Sequence, residues 1–250
     1  MNDVNYKKKR IVRVIVNFRN GTNSVGTGFF ISRSGNLLTC AHVILGLTLT
    51  QLRANNTFIS TSGATEAEKI TNYQRNETIS IQVQLPNGVI INADLEKLNA
   101  DFDIGLLRLT GENPRVDFFE INHSASSKFD YDDNVFFCGF QEAVGYTNLN
   151  FPFSVNSGIV STFPTVTVTG TQYEHVQVNS INLGGNSGAP LFKKGSNVVE
   201  GIINGNMNWG SDTVLQVANG IVAPAPLRTP LSIAYATPLS FIKHKTAIFN

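Results

Sequence analysis

The chain has 250 residues, with 19 Lys and Arg against 18 Asp and Glu, and a formal net charge of +1 at pH 7. This balance excludes a basic surplus of the kind that binds nucleic acid or an anionic membrane, and no apolar run is long enough to span a bilayer. The length allows a large core in one or two compact units, and frequent Val, Ile, Thr and Phe between closely spaced turns favour an all-β fold.

Strands and turns alternate through the first half of the chain. Residues 46–76 are rich in Thr, Asn, Ser and Gln without clear periodicity, which predicts an irregular excursion with a short helix near 65–70. Pro86-Asn87-Gly88 predicts a hairpin turn. Strands are predicted at residues 11–18, 25–32, 37–44, 78–85, 89–91 and 101–109.

The second half repeats this β character after a polar stretch, 110–133, that is typical of a connection between two halves. Thr237-Pro238 predicts the start of a short final helix, at about 238–248. The turn spacing fits two six-stranded halves. Strands are predicted at residues 135–140, 153–163, 165–169, 173–178, 198–203 and 231–237.

Targeting and redox signals are sparse. The apolar stretch 11–17 after the basic N-terminus is too short and too interrupted for a signal peptide. The only cysteines, Cys40 and Cys138, provide no disulfide framework. We therefore expect a soluble protein of a reducing compartment.

Ser187 stands in the glycine-rich stretch Gly184-Gly185-Asn186-Ser187-Gly188. Such a stretch suits neither helix nor strand and predicts a tight loop that turns backbone N–H groups toward one point. A hydroxyl beside converging N–H donors is what acyl transfer requires, because the donors stabilise charge on the tetrahedral oxygen. From this motif alone, a plain glycine turn between two strands is an equal alternative.

His42 near the end of one predicted strand and Asp103 at the mouth of another complete a Ser, His and Asp set, which forms a triad if the three meet in space. Asp101 is a rival for the acid. Cys40 is an alternative nucleophile, but strand alternation points it away from His42, so Cys40 and Cys138 are expected in the core. The other histidines lack the spacing of metal ligands, so no metal site is expected.

Three segments together resemble the chymotrypsin-like serine peptidases, and the order His, Asp, Ser is that of the family. They are residues 26–43, 103–109 and 185–191. The hairpin 81–91, Asn186 and the stretch Tyr235-Ala236-Thr237-Pro238 are most similar to the bacterial HtrA-type branch, here without a PDZ domain. The resemblance spans roughly residues 11–245.

The resemblance implies an all-β fold of two six-stranded antiparallel β-barrels with a short C-terminal helix. Residues 1–115 would form the first barrel, 116–133 the connection, and 134–250 the second barrel with the helix. It also implies a protein or peptide substrate and no cofactor. No nucleic-acid or membrane partner is expected from the charge balance, and a cytoplasmic location, in a bacterium if the HtrA-type likeness holds, is expected from the missing signal sequence and disulfide framework.

The same resemblance implies a serine endopeptidase that works through an acyl-enzyme. His42 would be the general base and then the acid, Asp103 would orient it, and Ser187 would be the nucleophile. The backbone N–H groups of Gly185 and Ser187 would form the oxyanion hole.

Asn186 departs from the digestive members of the family, where an Asp at this place receives the new amino terminus after activation. Activation by that ion pair is therefore not expected. The oxyanion loop is either ordered by other contacts or disordered until an activating protein partner binds. A shallow apolar pocket for a small or medium aliphatic P1 residue, not Lys or Arg, is expected at Ile181, Asn204, Gly205, Asn206, Ile233 and Tyr235.

Two other functions remain open from the sequence. One is a catalytically silent module on the same fold that holds an extended peptide. The other is a protease effector that cuts one specific intracellular protein once a trigger is present.

Overall fold

A computed structural model describes most of the chain. It covers residues 2–111, 115–122, 128–141, 153–168, 170–182, 184–218, 221–245 and 248–249, with the backbone alone at 2–3, 168, 171, 206–218, 221–232 and 243–245. Within these residues, no helix has the length and apolar character needed to cross a membrane.

Six antiparallel strands close into a first barrel in the order β1-β2-β3-β6-β5-β4. Alternate side chains enter the barrel core, so Val12, Val14 and Val16 of the first strand are fully buried. The strands are β1 (Ile11–Phe18), β2 (Asn23–Phe30), β3 (Asn36–Thr39), β4 (Thr78–Gln84), β5 (Ile90–Asn99) and β6 (Ile104–Leu109).

Six further strands close into a second barrel in the order β11-β14-β13-β12-β7-β8, and β9 pairs with β10 in a separate hairpin. The strands are β7 (Asn134–Phe140), β8 (Phe153–Thr162), β9 (Thr165–Val168), β10 (Thr171–Glu174), β11 (Val176–Asn179), β12 (Pro190–Lys193), β13 (Gly201–Ala218) and β14 (Ile221–Pro238). The predicted all-β fold of two six-stranded antiparallel barrels is confirmed.

The excursion 46–76 is helical. The short helix predicted near 65–70 is present within residues 66–77, whereas the prediction that the rest of the segment is irregular was wrong. The excursion contains α3 (Leu49–Arg53), α4 (Asn56–Ser60) and α5 (Glu66–Glu77). Capping boxes at Thr48 and Thr65 start the first and last of these helices. Their inward side chains Leu52, Phe58, Ile70 and Tyr73 form a small apolar cluster together with Leu45, which precedes the excursion.

Other boundaries also differ from prediction. The predicted strand 37–44 ends at Thr39 and is followed by a short helix, α2 (Ala41–Leu45), which ends at Gly46 in the left-handed conformation. The predicted strand 173–178 is divided between β10 and β11. The final helix, α6 (Leu239–Lys245), is shorter than predicted.

An N-terminal helix, α1 (Asn2–Lys8), was not predicted. Lys7 is buried against the second barrel, where its Nζ donates to Asn197 Oδ1 at 2.7 Å. The same ammonium lies 4.8 and 5.2 Å from the ring centroids of Phe136 and Phe192. Because these rings and Asn197 surround the ammonium, Lys7 holds α1 on the barrel. From the basic sequence of this segment alone, the side chain would be expected in solvent.

Candidate active site

His42 lies on α2, at the end of the first barrel. Every other residue of that helix is buried, while His42 keeps 22% of its side chain exposed. The register of β3 on β6 pairs Thr39 with Gly105, so the residues just after one strand and just before the other meet at the same end of the barrel. This pairing brings His42 beside Asp103, 61 residues away (103 − 42).

Asp103 occupies the turn before β6 in the left-handed region, with φ of 52°. Asp tolerates this conformation better than most residues, and the turn directs its carboxylate back toward α2. Oδ2 lies 2.7 Å from Nδ1 of His42, and Oδ1 accepts the backbone N–H of His42 at 2.8 Å. Of the two predicted acids, Asp103 is the one against His42; the described residues show no hydrogen bond between Asp101 and His42.

This contact sets the charge and orientation of the imidazole. Burial disfavours the imidazolium, but the charge and hydrogen bond of Asp103 outweigh it, so the pKa of His42 is raised. A carboxylate at Nδ1 favours the tautomer with the proton on that nitrogen. Nε2 is then the basic atom, and it is available to accept a proton from a neighbouring hydroxyl.

The loop that carries Ser187 is docked onto the first barrel. The Ser187 carbonyl accepts the backbone N–H of Thr27 at 2.8 Å, and Gly188 donates to Ile203 at 2.7 Å. A Cβ on Gly26 would lie 2.5 Å from Val43 and 2.9 Å from the Ser187 carbonyl oxygen. Position 26 therefore has room only for a glycine, and this allows the backbone of Ser187 to approach Val43, the residue after His42.

The peptide groups around Ser187 leave two donors unused. Neither Gly185 N–H nor Ser187 N–H donates to another described residue, whereas the Gly185 carbonyl accepts the hydroxyl of Thr27 at 2.7 Å. Gly185 has φ of 87°, a conformation that favours glycine. Within the described residues, no hydrogen bond joins the Ser187 hydroxyl to His42; such contacts are often long without substrate.

The family model of the trypsin-like peptidase domain matches residues 26–202, which is more than half of the chain and includes both strands of the His42–Asp103 end and the Ser187 loop. The chain belongs to the trypsin-like peptidase domain family. No match was found among the curated proteins.

Asn186, directly before Ser187, has a buried side chain without a partner in the described part of the chain. Both its side-chain oxygen and nitrogen lack a hydrogen-bond partner among the described residues. A Cβ on Gly139 would lie 2.7 Å from its Oδ1. The buried amide therefore occupies space that the absence of a side chain at Gly139 leaves open.

Cys40 is buried, as is Cys138, which confirms the prediction that both belong to the core. The physical reason differs for Cys40, which lies at the start of α2 and not in a strand. Its Sγ donates to the Ile203 carbonyl at 3.3 Å. Ligand atoms of Cys40, His42 and Asp103 lie within 4.8 Å of one another, but burial raises the pKa of the thiol well above its usual range, which disfavours the thiolate needed for metal binding or attack.

The residues predicted to bind substrate are spread over this end of the trypsin-like peptidase domain. Ile181 is 58% exposed, and Ile233 pairs with Asn179 between β14 and β11. Asn206 lies on β13, but its side chain is outside the described residues. The other three, Asn204, Gly205 and Tyr235, line a cleft beside Asp103. Their role in a P1 pocket stays a prediction.

The cleft beside Asp103 also contains residues that the sequence did not assign to a site. Its volume is about 430 Å³, and Arg53, Asp101, Tyr173 and His175 contribute to its walls. Tyr173 and His175 form a hydrogen bond of 2.7 Å between the hydroxyl and Nε2. Burial lowers the pKa of His175 to about 4, so its ring is neutral near pH 7.

Proposed function

We propose that this trypsin-like peptidase domain is a serine endopeptidase. Ser187 Oγ attacks the substrate carbonyl carbon while His42 Nε2 takes the hydroxyl proton, and the N–H groups of Gly185 and Ser187 stabilise the oxyanion. When the intermediate collapses, His42 gives that proton to the departing amine and an acyl-enzyme remains. Water, deprotonated by His42, then releases the acid and restores Ser187.

The contact between His42 and Asp103 carries this proposal. One carboxylate holds both the ring, at 2.7 Å, and the backbone N–H of His42, at 2.8 Å, so the ring has little freedom to turn. The negative charge of Asp103 also stabilises the imidazolium that forms when the proton is taken from Ser187. The N–H groups of Gly185 and Ser187, which donate to no other described residue, support the same assignment.

A fluorophosphonate probe tests the nucleophile directly. Mass spectrometry of the labelled, digested protein is expected to locate the adduct on Ser187, and Ser187→Ala should lose both labelling and peptide hydrolysis while its melting temperature is unchanged. Hydrolysis by the Ser187→Ala protein at the wild-type rate would rule out the mechanism.

The finer assignments belong to the same proposal. Two residues support a shallow apolar P1 pocket that takes a small or medium aliphatic side chain. Ile181 stands at the expected base of the pocket, where an acid would select Lys or Arg, and Ile233 stands where a glycine would open a deeper pocket. Asn186 has no charge with which to hold an ammonium, so activation by a new amino terminus is not part of the proposal. A selective and regulated peptidase is the form that we propose.

A catalytically silent peptide-binding module is the second candidate. It is favoured by one observation, that the Ser187 hydroxyl and His42 share no hydrogen bond within the described residues. A silent module would bind an extended peptide with the same affinity in wild type and Ser187→Ala, and neither protein would react with the probe or cleave the peptide.

A further inference from the structure

The cleft beside Asp103 is separate from the reacting groups. Neither His42 nor Ser187 lines it, although Asp103 does. Its walls come from the helical excursion at Leu49, from β9 at Val166 and from β14 at Tyr235. Three residues expected in the P1 pocket, Asn204, Gly205 and Tyr235, also line the cleft, but Ile181, expected in the same pocket, does not. A side chain in the cleft is therefore assigned to a residue flanking the scissile bond, and not to the residue whose carbonyl Ser187 attacks.

The charges around this cleft do not balance. Arg53 is engaged by Glu66 through two hydrogen bonds of 2.7 and 2.8 Å. Asp103 is engaged by His42. Asp101 has neither a hydrogen bond nor an ion pair within the described residues, and among those residues Arg53 is the one Lys or Arg that lines the cleft. The group of Arg53, Glu66 and Asp101 thus carries one excess negative charge.

Asp101 is also partly removed from water. Burial and the charge of Glu66 raise the pKa of this carboxyl, and Arg53 offsets only part of the effect. A carboxylate in this situation gains more from an incoming cation than a fully solvated one does. Asn204 also lines the cleft, and its Oδ1 is buried without a partner among the described residues.

The remaining polar groups of the cleft do not compete for the same ligand. Tyr173 and His175 bond to each other, and near pH 7 both are neutral, because burial raises the pKa of Tyr173 to about 12 and lowers that of His175 to about 4. Leu49, Val166 and Tyr235 present apolar surface. Such walls suit the aliphatic stem of a long side chain whose charged end reaches an acceptor.

From these contacts we infer that the cleft binds a Lys or Arg side chain of the substrate, at a position flanking the scissile bond, with Asp101 as the residue that selects it. The inference rests on the proposed peptidase function and names part of its substrate class. It concerns a position other than P1, for which an aliphatic residue is expected, although Asn204, Gly205 and Tyr235 are shared between the cleft and the predicted P1 pocket.

The test uses quenched fluorogenic peptides of one sequence in which a single flanking position carries Lys, norleucine or Glu. Norleucine keeps a four-carbon stem and lacks the ammonium. At one flanking position, kcat/KM for Lys should exceed that for norleucine by about tenfold to a hundredfold, the range expected for a hydrogen bond to a charged group. Asp101→Asn should remove this preference without changing kcat/KM for the norleucine peptide.

Asp94→Asn is the matched control, since Asp94 is an exposed carboxylate of the same barrel that does not line the cleft. It should keep the preference for Lys. Equal rates for the three peptides, or a preference that survives Asp101→Asn, would overturn the inference while leaving the peptidase intact.

Failure of the peptidase function gives a different result, namely no cleavage of any peptide by wild type. Fluorescence anisotropy of the same peptides with the Ser187→Ala protein then still decides the inference. Tighter binding of the Lys peptide that Asp101→Asn abolishes supports it, and equal affinities for Lys and norleucine contradict it.

Discussion

Asp103→Asn is the substitution that most directly tests the proposed mechanism. The carboxylate uses separate oxygens for two donors, Nδ1–H of His42 at 2.7 Å and its backbone N–H at 2.8 Å. An asparagine supplies one oxygen, so its NH₂ group must face one of these donors. If the oxygen stays with the backbone, Nδ1 has to accept, the ring proton moves to Nε2, and His42 can no longer take the Ser187 proton.

The expected loss is large because both the tautomer and the charge change. In the general Ser-His-Asp template the wrong tautomer lowers kcat about 10⁴-fold, which corresponds to about 5 kcal/mol of transition-state stabilisation. We expect a loss of the same order here, since Asp103 makes both contacts that the template requires. Thermal stability should fall far less, because the side chain volume is kept.

The assay is kcat on a fluorogenic peptide as a function of pH. His42 must be neutral to act as a base, and the charge and hydrogen bond of Asp103 raise its pKa, so wild-type activity should fall as the pH drops through a value higher than the ordinary histidine pKa. Removing the charge of Asp103 lowers that pKa, so the acidic limb should move to lower pH. A folded Asp103→Asn protein with kcat reduced less than about tenfold and an unmoved limb would refute the reasoning.

Three further substitutions test the support around the site. Gly188→Ala should block folding of the loop that carries Ser187, since φ is 92° and a Cβ would overlap the Thr27 carbonyl oxygen. The control Gly195→Ala, at φ of 83° in open space, should lower the free energy of unfolding by only about 1 kcal/mol. Equal melting temperatures of the two variants would contradict this. Thr27→Val should lower the free energy of unfolding by about 2–4 kcal/mol and reduce kcat, because the hydroxyl both donates to the Gly185 carbonyl and accepts the Phe140 N–H. Thr27→Ser keeps these bonds and should be clearly more stable in urea than Thr27→Val. The pKa of His175 is near 6.5 in the unfolded chain and about 4 in the folded protein, so the free energy of unfolding should fall as the pH drops through this window. His175→Gln should reduce that loss by at most about 3 kcal/mol. An unchanged pH dependence of urea unfolding in this variant would exclude the effect.

Strand positions were predictable where one face of a strand lies on a core. β1 begins and ends at the predicted residues 11 and 18 because its buried and half-buried side chains alternate. The three helices of the excursion bury few side chains each, with Leu52 and Phe58 the sole buried residues of α3 and α4, so they leave no long apolar repeat in the sequence. Their readable signals were the Thr residues of the caps, Thr48 and Thr65.

The helix that carries His42 was mistaken for the end of a strand. Four of its five residues are buried apolar side chains, so the run has no polar face, and periodicity cannot distinguish helix from strand over so few residues. The residue types of the candidate site were readable from the sequence. The approach of Asp103 to His42 was not, since it depends on the pairing of Thr39 with Gly105 between strands that are distant in sequence.

One carbonyl group links the surroundings of Ser187 to those of His42. Ile203, on β13 of the second barrel, accepts both the Gly188 N–H at 2.7 Å and the Cys40 S–H at 3.3 Å. A carbonyl oxygen has two lone pairs and can serve both donors. Gly188 directly follows Ser187 within the second barrel, and Cys40 directly precedes the helix of His42 in the first. The bond from Cys40 therefore crosses between the barrels, as does the bond from the Thr27 N–H to the Ser187 carbonyl. Because a displacement of one barrel on the other would break both, the separation of Ser187 and His42 is tied to the packing between the barrels.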